Sequence, residues 1–174
     1  SPYGPWTVEF IDGGPVLPAA FETQQPTLWT NIDDPDAIRF AGTACYATTF
    51  DRPTSLASES TPNAWELQLG GLHESARVRF NGENLGTIFA EPFELTIPND
   101  LFQDHDNLLE IEVTNLSANR IRDLDMRGVE WRRFHDINFV DIDYEGFDAT
   151  IWPVEPSGLD GPVFLWPLHE METP

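Results

Sequence analysis

Apolar and polar residues alternate through the middle of the chain in a series of short runs. The run at residues 64–70 reads Ala-Trp-Glu-Leu-Gln-Leu-Gly, and the same two-residue period returns around Val78, Leu95 and Ile111. A further strand is predicted at residues 85–90, which makes five consecutive strands. Period-two alternation is typical of antiparallel sheets with a single core side, because it places apolar side chains on one face and polar ones on the other. The chain is therefore predicted to be all-β and to fold as an antiparallel β-sandwich, an architecture that makes most enzyme classes less expected.

Other elements are predicted on either side of these strands. Asn81-Gly82, between two of the runs, is a strong two-residue hairpin turn. Strands are predicted at residues 6–11 and 43–51, and one short helix at residues 34–40. A closing strand at residues 163–166 is bounded by two prolines, which indicates the edge of a sheet.

The whole chain, residues 1–174, is predicted to be a single β-sandwich domain. Its first five residues, Ser-Pro-Tyr-Gly-Pro, are linker-like, so the domain is interpreted as one excised from a larger protein. Residues 116–160 are charged and aromatic without a clean period, and they are expected to form a long irregular segment before the last strand. No run of the sequence approaches the ~20 apolar residues of a membrane-spanning helix.

The chain is strongly acidic, with a formal net charge of −21, and all nine basic residues are arginines. Neither nucleic acid nor an anionic membrane is expected as a partner, because binding to either requires a basic surface. Cys45 is the single cysteine, which excludes an internal disulfide. It is expected to be a small buried hydrophobic side chain within its strand.

One segment concentrates much of the positive charge, since five of the nine arginines lie between residues 120 and 133. Aromatic side chains are interleaved with them. Aromatic rings stack on the apolar faces of sugars, and arginine forks bind hydroxyls, carboxylates or sulfates. The segment is therefore a candidate carbohydrate site, with Trp131 as the stacking platform. The predicted contacts are Trp131, Arg127, Arg132, Arg133 and Tyr144.

The same segment also has a purely structural interpretation. Acidic residues are frequent in it, and ion pairs between them and the arginines would fix a long loop to the sandwich. These acidic residues are Asp123, Asp125, Glu130, Asp136, Asp141 and Asp143. Composition leaves both interpretations open, because aromatic residues and arginine are also enriched in interface cores.

No catalytic or metal-binding motif stands out in the sequence. The chain has no Gly-rich phosphate loop and no Gly-x-Ser-x-Gly elbow. Acidic groups at residues 33–36 and 100–106 leave room for a structural calcium ion, but neither matches an EF-hand loop, and Asp34 is better explained as a helix N-cap. No catalytic residue and no cofactor is predicted.

Several stretches resemble the sugar-binding β-sandwich domains of glycoside hydrolase family 2 and its relatives. Residues 40–46, Phe-Ala-Gly-Thr-Ala-Cys-Tyr, match the family's strand pattern Phe-x-Gly-Thr-Ala-x-Tyr. Residues 76–82 match a later strand and hairpin, and residues 107–115 match the strand near the end of that series.

The C-terminal part of the chain makes the resemblance more specific. Residues 119–121 and 156–163 are similar to the C-terminal sandwich of family 106 α-L-rhamnosidases and rhamnosidase-like proteins, whose pattern has a second leucine where this chain has Asp160. The resemblance extends over about residues 38–168. It implies a galactose-binding-like jelly roll attached to a glycoside hydrolase.

The resemblance also implies a function. The catalytic carboxylates of such enzymes lie on a (β/α)₈ barrel of ~250 residues, for which this chain has no room. The expected function is therefore non-catalytic binding of an acidic or rhamnose-containing plant or algal polysaccharide, as an accessory domain of a rhamnosidase-like, polysaccharide-degrading enzyme. The parent's catalytic domain is the second expected partner, and a secreted or periplasmic location is implied. The alternative is a structural sandwich that packs on the catalytic barrel and binds no sugar. A free-standing hydrolase or lyase is a third interpretation, for which the sequence offers no acid and base.

Overall fold

The computed structural model describes residues 3–53, 62–133 and 145–169, which form a two-layer antiparallel β-sandwich. The strands are β1 (Trp6–Gly14), β2 (Phe21–Thr23), β3 (Ala41–Phe50), β4 (Ala64–His73), β5 (Ser75–Phe80), β6 (Glu83–Ile88), β7 (Glu94–Pro98), β8 (Asn107–Thr114) and β9 (Gly158–Leu168). The α-helices of the described residues are α1 (Pro35–Ile38) and α2 (Ala118–Met126). One sheet has the order β2-β1-β3-β8-β5-β6 and the other β7-β4-β9. The predicted all-β sandwich is confirmed.

The inward-facing residues of the larger sheet are aligned across its central strands. Tyr46 of β3 lies opposite Ile111 of β8, which lies opposite Val78 of β5, and all three side chains are fully buried. Their neighbours Arg77 and Glu112 face outward and form an ion pair at 3.4 Å. Alternate rows of the sheet thus become core and solvent face, as the period-two pattern predicts.

The smaller sheet covers the core from the other side. Leu67 of its central strand β4 is fully buried and pairs with Leu95 of β7 and Leu165 of β9. β9 is an edge strand, as predicted, but it extends beyond residues 163–166, so Pro162 and Pro167 lie within it and not at its ends. Its alternate side chains point outward, and Phe164 and Trp166 are 42% and 50% exposed.

A cluster of aromatic rings fills part of the core. Phe10, Trp29 and Phe40 contact one another edge to face, with ring centroids 4.9–6.1 Å apart. Tyr46 stacks against Trp29 at a centroid distance of 6.4 Å. Gly158, at the start of β9, has a φ of +119°, and a Cβ there would collide with the Tyr46 hydroxyl. Glycine is therefore required where the last strand enters the sandwich.

The predicted hairpin and first helix are confirmed. Asn81 and Gly82 have φ of 50° and 86°, the left-handed conformations that a type I′ turn requires at both positions. The Asp34 carboxylate accepts a hydrogen bond from the Asp36 N–H at 2.8 Å, which is the N-cap interaction expected for α1. The first strand continues to Gly14, beyond its predicted end.

The prediction of one helix and a long irregular segment is wrong for residues 118–126, which form α2. Its apolar residues Ala118, Ile121 and Leu124 recur at three-residue spacing, but the row is short and none of the three is fully buried, so the helix was not predicted. The short strand β2 was likewise not predicted. Neither described helix has the length and apolar content that a membrane crossing requires.

Cys45 is not in the core, contrary to the prediction. Ala44 and Tyr46 take the inward positions of β3, which leaves Cys45 half-buried on the outer row. Burial raises the pKa of its thiol to about 11, with further contributions from the nearby carboxylates of Glu110 and Glu112.

Replacing Val78 or Ile111 by aspartate is expected to unfold the domain. Both side chains are fully buried. An unpaired carboxylate in an apolar interior costs more than about 4 kcal/mol, against the about 5–15 kcal/mol that stabilises a typical domain. Urea denaturation followed by circular dichroism measures the effect. Thr87→Asp, on the exposed side of β6, is the control, expected within about 0.5 kcal/mol of wild type. Equal midpoints for all three variants would contradict the assigned buried face.

Candidate functional site

The helix α2 is fixed to the chain segment that precedes β9. The Asn119 side chain, 3% exposed, donates to the Glu155 carbonyl and accepts from the Glu155 N–H, both at 2.8 Å. One turn further on, the Arg122 Nε donates to the Trp152 carbonyl at 2.8 Å. Two stretches that are distant in sequence are thereby held side by side.

The C-terminus of α2 turns the chain back over the helix. The Gly128 N–H bonds the Asp125 carbonyl at 3.0 Å, and the Val129 N–H bonds the Leu124 carbonyl at 2.9 Å. Gly128 has a φ of +64°. This pair of bonds around a left-handed glycine is the Schellman motif, which ends a helix and satisfies its last carbonyls. The turn places Trp131 beside the Asp125 side chain.

The Asp125 carboxylate is the centre of the resulting site. Its Oδ1 accepts a hydrogen bond from the Trp131 indole Nε1 at 2.6 Å, and its Oδ2 accepts one from the Ala149 N–H at 2.9 Å. The Arg132 guanidinium lies 3.6 Å from Oδ1. With a side chain only 8% exposed, Asp125 links the end of α2 to the segment before β9.

The environment of Asp125 keeps it ionised. Burial by itself would raise the pKa of this carboxyl group, but the hydrogen bonds from Trp131 and Ala149 outweigh it, together with the charge of Arg132. The pKa of Asp125 is consequently lowered from its ordinary value. The carboxylate therefore serves as a fixed acceptor at neutral pH.

Aromatic rings form the apolar wall of the site. Trp131 and Phe147 meet edge to face at a centroid distance of 5.8 Å, and Phe147 meets Trp152 in the same way at 5.4 Å. The Arg132 guanidinium lies over both Trp131 and Phe147, at 5.6 Å and 5.1 Å from the ring centroids. The cation–π contacts hold Arg132 against the wall.

These residues line an open groove of about 410 Å³. The lining residues are Asp125, Gly128, Val129, Glu130, Trp131, Arg132, Phe147, Asp148 and Thr150. Asp148 accepts from the Thr150 N–H at 2.8 Å, and its bonds to Thr150 lower the pKa of Asp148 below the ordinary value. The groove thus combines an aromatic wall with carboxylates, a guanidinium and a hydroxyl, the groups that bind sugar hydroxyls.

The charges of the groove are unfavourable for an acidic ligand. Among the described residues that line it, Asp125, Glu130 and Asp148 contribute three carboxylates, and Arg132 is the single cation. The Arg132 charge already faces Asp125. The groove is therefore better matched to an uncharged, hydroxyl-rich ligand than to a carboxylated or sulfated one.

Only some of the residues predicted to contact carbohydrate line the groove. Trp131 and Arg132 line the groove. Arg127 lies outside its lining and pairs with Asp123 at 2.7 Å, beside the Arg120–Asp123 pair at 2.6 Å. Arg133 is exposed and is not among the groove-lining residues. Tyr144 lies outside the described residues.

The central acceptor of the site, Asp125, was not predicted as a contact, nor were Phe147, Asp148 and Thr150. The sequence does contain a signal for α2: the arginine and aspartate pairs around Asp123 are spaced three and four residues apart, as on one helix face. With the helix ending before Gly128, this spacing places Asp125 in its last turn. No sequence pattern indicates that the stretch around Phe147 returns to this point.

Among the described residues, no three His, Cys, Asp or Glu side chains gather in a way that could hold a metal ion. In the acidic group at residues 33–36, Asp34 caps α1 and the Asp36 carboxylate accepts from the Arg39 Nε at 2.9 Å. The structure gives these two carboxylates local roles in the helix.

No family model matches the chain. A candidate β-glucuronidase of Formosa agariphila is 34% identical over 119 residues, which is 68% of this chain and 10% of that protein. The chain thus spans about a tenth of the length of this curated relative.

Two solved structures have the same fold in part of a larger chain. The rhamnosidase from Novosphingobium sp. PP1Y is 30% identical and superposes with a TM-score of 0.67, covering 94% of this chain and 14% of the rhamnosidase. The FMN-binding β-glucuronidase from Faecalibacterium prausnitzii L2-6 is 27% identical with a TM-score of 0.50, covering 64% of this chain and 17% of the enzyme. The resemblance to β-sandwich domains of glycoside hydrolases is confirmed.

Asp125→Asn is expected to destabilise the domain in a pH-dependent way. The amide can accept on one atom only, so one of the buried N–H donors loses its partner, at a cost of about 1–3 kcal/mol at neutral pH. A lowered folded-state pKa stabilises the protein above the unfolded-state pKa, about 3.9, and this contribution is lost as pH falls through the folded-state value. The difference from wild type should therefore shrink below about pH 4.

Urea unfolding of both proteins between pH 7 and pH 3 measures this difference. Asp104→Asn, at an exposed loop position, is the matched control and should track wild type throughout. A D125N deficit that is the same at every pH would contradict the ionised role of Asp125.

Proposed function

We propose that this chain is a non-catalytic, carbohydrate-binding accessory domain of a larger, rhamnosidase-like glycoside hydrolase. In this proposal the groove around Trp131 binds an uncharged part of the polysaccharide substrate. The observation that carries the proposal is that Trp131 stands in an ordered groove beside several hydrogen-bonding groups, instead of in a flat apolar patch. A groove of this kind suits a sugar, which has both apolar faces and hydroxyls.

The chemistry of the groove favours a neutral sugar such as rhamnose. Rhamnose is a 6-deoxy sugar, so it presents a methyl group as well as hydroxyls. The rings of Trp131 and Phe147 offer an apolar wall for the methyl group and ring face, while Asp148 and Thr150 offer hydrogen bonds to hydroxyls. The similarity to a rhamnosidase over 94% of this chain supports the same sugar class.

Two of the groove carboxylates, Asp125 and Asp148, are suited to accepting hydrogen bonds and not to donating a proton. Hydrolysis of a glycosidic bond uses a protonated carboxyl group, whose pKa is raised, together with an ionised one. Asp125 and Asp148 both have lowered pKa values, so both are ionised acceptors at neutral pH. In this proposal the catalytic residues lie elsewhere in the parent chain, which is secreted or periplasmic.

A second candidate function is structural docking on the parent's catalytic domain. Met126 and Val129, at the end of α2, are 57% and 43% exposed. The adjacent ion pairs of Arg120 and Arg127 with Asp123 would then stiffen an interface. Exposed apolar side chains next to arginines are common in protein interfaces.

Binding of the isolated domain to polysaccharides tests the proposal. The panel contains neutral, uronic-acid and sulfated rhamnose-containing polymers, each at low and high salt. We expect weak binding to a neutral polymer, with Kd of roughly micromolar to millimolar and little salt dependence. Trp131→Ala should weaken it at least about tenfold, which corresponds to about 1.4 kcal/mol.

Two variants make the result specific. Trp131→Phe keeps a ring and removes the indole donor to Asp125, so it should retain more binding than W131A if stacking dominates. Phe89→Ala removes an aromatic ring that is 77% exposed and lies outside the groove, and it should bind like wild type. A folded domain that binds none of the polymers would instead support docking as the function.

A further inference from the structure

The outer face of the smaller sheet carries an ordered array that the Trp131 groove does not use. We infer that this array is a second carbohydrate site, which takes an extended, uncharged glycan along β9. The inference rests on the proposed function, because it assigns a second surface to the same polysaccharide. We call this surface the β9 platform. Its aromatic and aliphatic row is Phe164, Trp166 and Leu168.

Strand register places a polar row directly beside the apolar one. Phe164 pairs with Gln68 and Trp166 with Glu66 across β9 and β4. On the other side of β4, Gln68 pairs with Glu94, and Glu66 pairs with Thr96 of β7. Side chains that are opposite one another in a sheet share a face. The platform is therefore one apolar column at the edge of the sheet, followed on one side by the columns of β4 and β7, which carry amide, carboxylate and hydroxyl groups.

The apolar column is a broad accessible surface. Phe164, Trp166 and Leu168 are 42%, 50% and 36% exposed. The Phe164 and Trp166 rings lie at a centroid distance of 5.7 Å with an angle of 27° between their planes. Two aromatic rings at successive outward positions extend the surface along the strand, so it suits several linked sugar residues better than a single one.

The polar column is oriented by hydrogen bonds. The Trp166 Nε1 donates to the Gln68 Oε1 at 3.4 Å, and the Gln68 Nε2 donates to the Glu94 Oε1 at 3.0 Å. These bonds fix the Gln68 amide between the rings and the carboxylate. A side-chain amide has two N–H donors and two acceptor lone pairs, so Gln68 keeps capacity for a sugar hydroxyl.

The chemistry of the platform favours a neutral glycan over the other occupants. Glu66 and Glu94 lie within the array, and none of the paired positions on these three strands carries a lysine or an arginine, which disfavours an anionic polymer. A protein interface core is depleted of charged residues, whereas here two carboxylates stand beside the exposed rings. Aromatic faces next to ordered hydrogen-bonding groups fit the alternating apolar and hydroxyl surfaces of sugars.

NMR of the indole N–H groups tests the inference site by site. The isolated domain is labelled with ¹⁵N and titrated with a neutral rhamnose-containing oligosaccharide, and Trp166→Phe and Trp131→Phe assign the two signals. We expect the Trp166 signal to shift and saturate in wild type and equally in W131A. Retention of the matching polymer should fall at least threefold in W166A and also in Gln68→Ala, which leaves both rings in place. F89A is the control for loss of an exposed ring.

The outcomes separate this inference from the proposed function. If the Trp131 signal shifts while the Trp166 signal stays unmoved at saturation, the second site is overturned and the groove stands. If W166A loses binding while W131A binds like wild type, the platform is supported and the groove assignment fails. If neither signal moves and no polymer is retained, both are overturned.

Discussion

The apolar interior shared by the two sheets constrains where this domain can bind a ligand. Each strand places alternate side chains in that interior, as the fully buried row of Tyr46, Ile111 and Val78 shows. These residues stabilise the fold by apolar burial and are unavailable to a ligand. Outer sheet faces, edge strands and connecting segments remain. The Trp131 groove is built on the connection between β8 and β9, and the β9 platform on an outer face at an edge.

The connecting segment is attached to this interior by buried polar groups. The Ser157 Oγ, in a residue that is 2% exposed, lies 3.0 Å from the Asn115 Nδ2 and 3.4 Å from the Asn119 Nδ2. The Ser157 carbonyl accepts from the Trp29 N–H at 3.0 Å. The end of β8, the start of α2, the start of β9 and the aromatic core therefore meet at one residue. Because buried polar groups must be satisfied together, this network fixes the segment more specifically than apolar contact would.

The strands were predictable because their signal is local. The alternation of Leu109, Ile111 and Val113 with polar residues is enough to predict that they are buried. The dipeptide Asn81-Gly82 is likewise enough to predict a hairpin turn. The helix α2 was harder to predict, because its apolar row of Ala118, Ile121 and Leu124 is short, and its position is fixed by hydrogen bonds to the segment before β9. Its other local signals are the ion-pair spacing around Asp123 and the glycine that follows its last turn.

The groove was predictable only in part. Trp131 and Arg132 could be named from an arginine-rich, aromatic stretch, since their residue types suggest the chemistry. Whether an arginine is free for a ligand depends on which acidic residue the fold places beside it. Arg127 pairs with Asp123 because α2 brings residues four apart onto one face. Phe147 contributes to the groove because the segment before β9 lies beside Trp131, and no short-range sequence pattern predicts that contact.

The hydrogen bonds from Trp131 and Ala149 to the Asp125 carboxylate have a kinetic consequence. In the proposed binding role, a wall held by an ionised, buried acceptor would have its shape before a sugar arrived, so little conformational entropy would be lost on association. Encounter would then need no rearrangement, and a weak affinity would arise chiefly from rapid dissociation. Short dwell times would let a domain tethered to an enzyme release one stretch of a polymer and engage the next, keeping the enzyme at its substrate without arresting it.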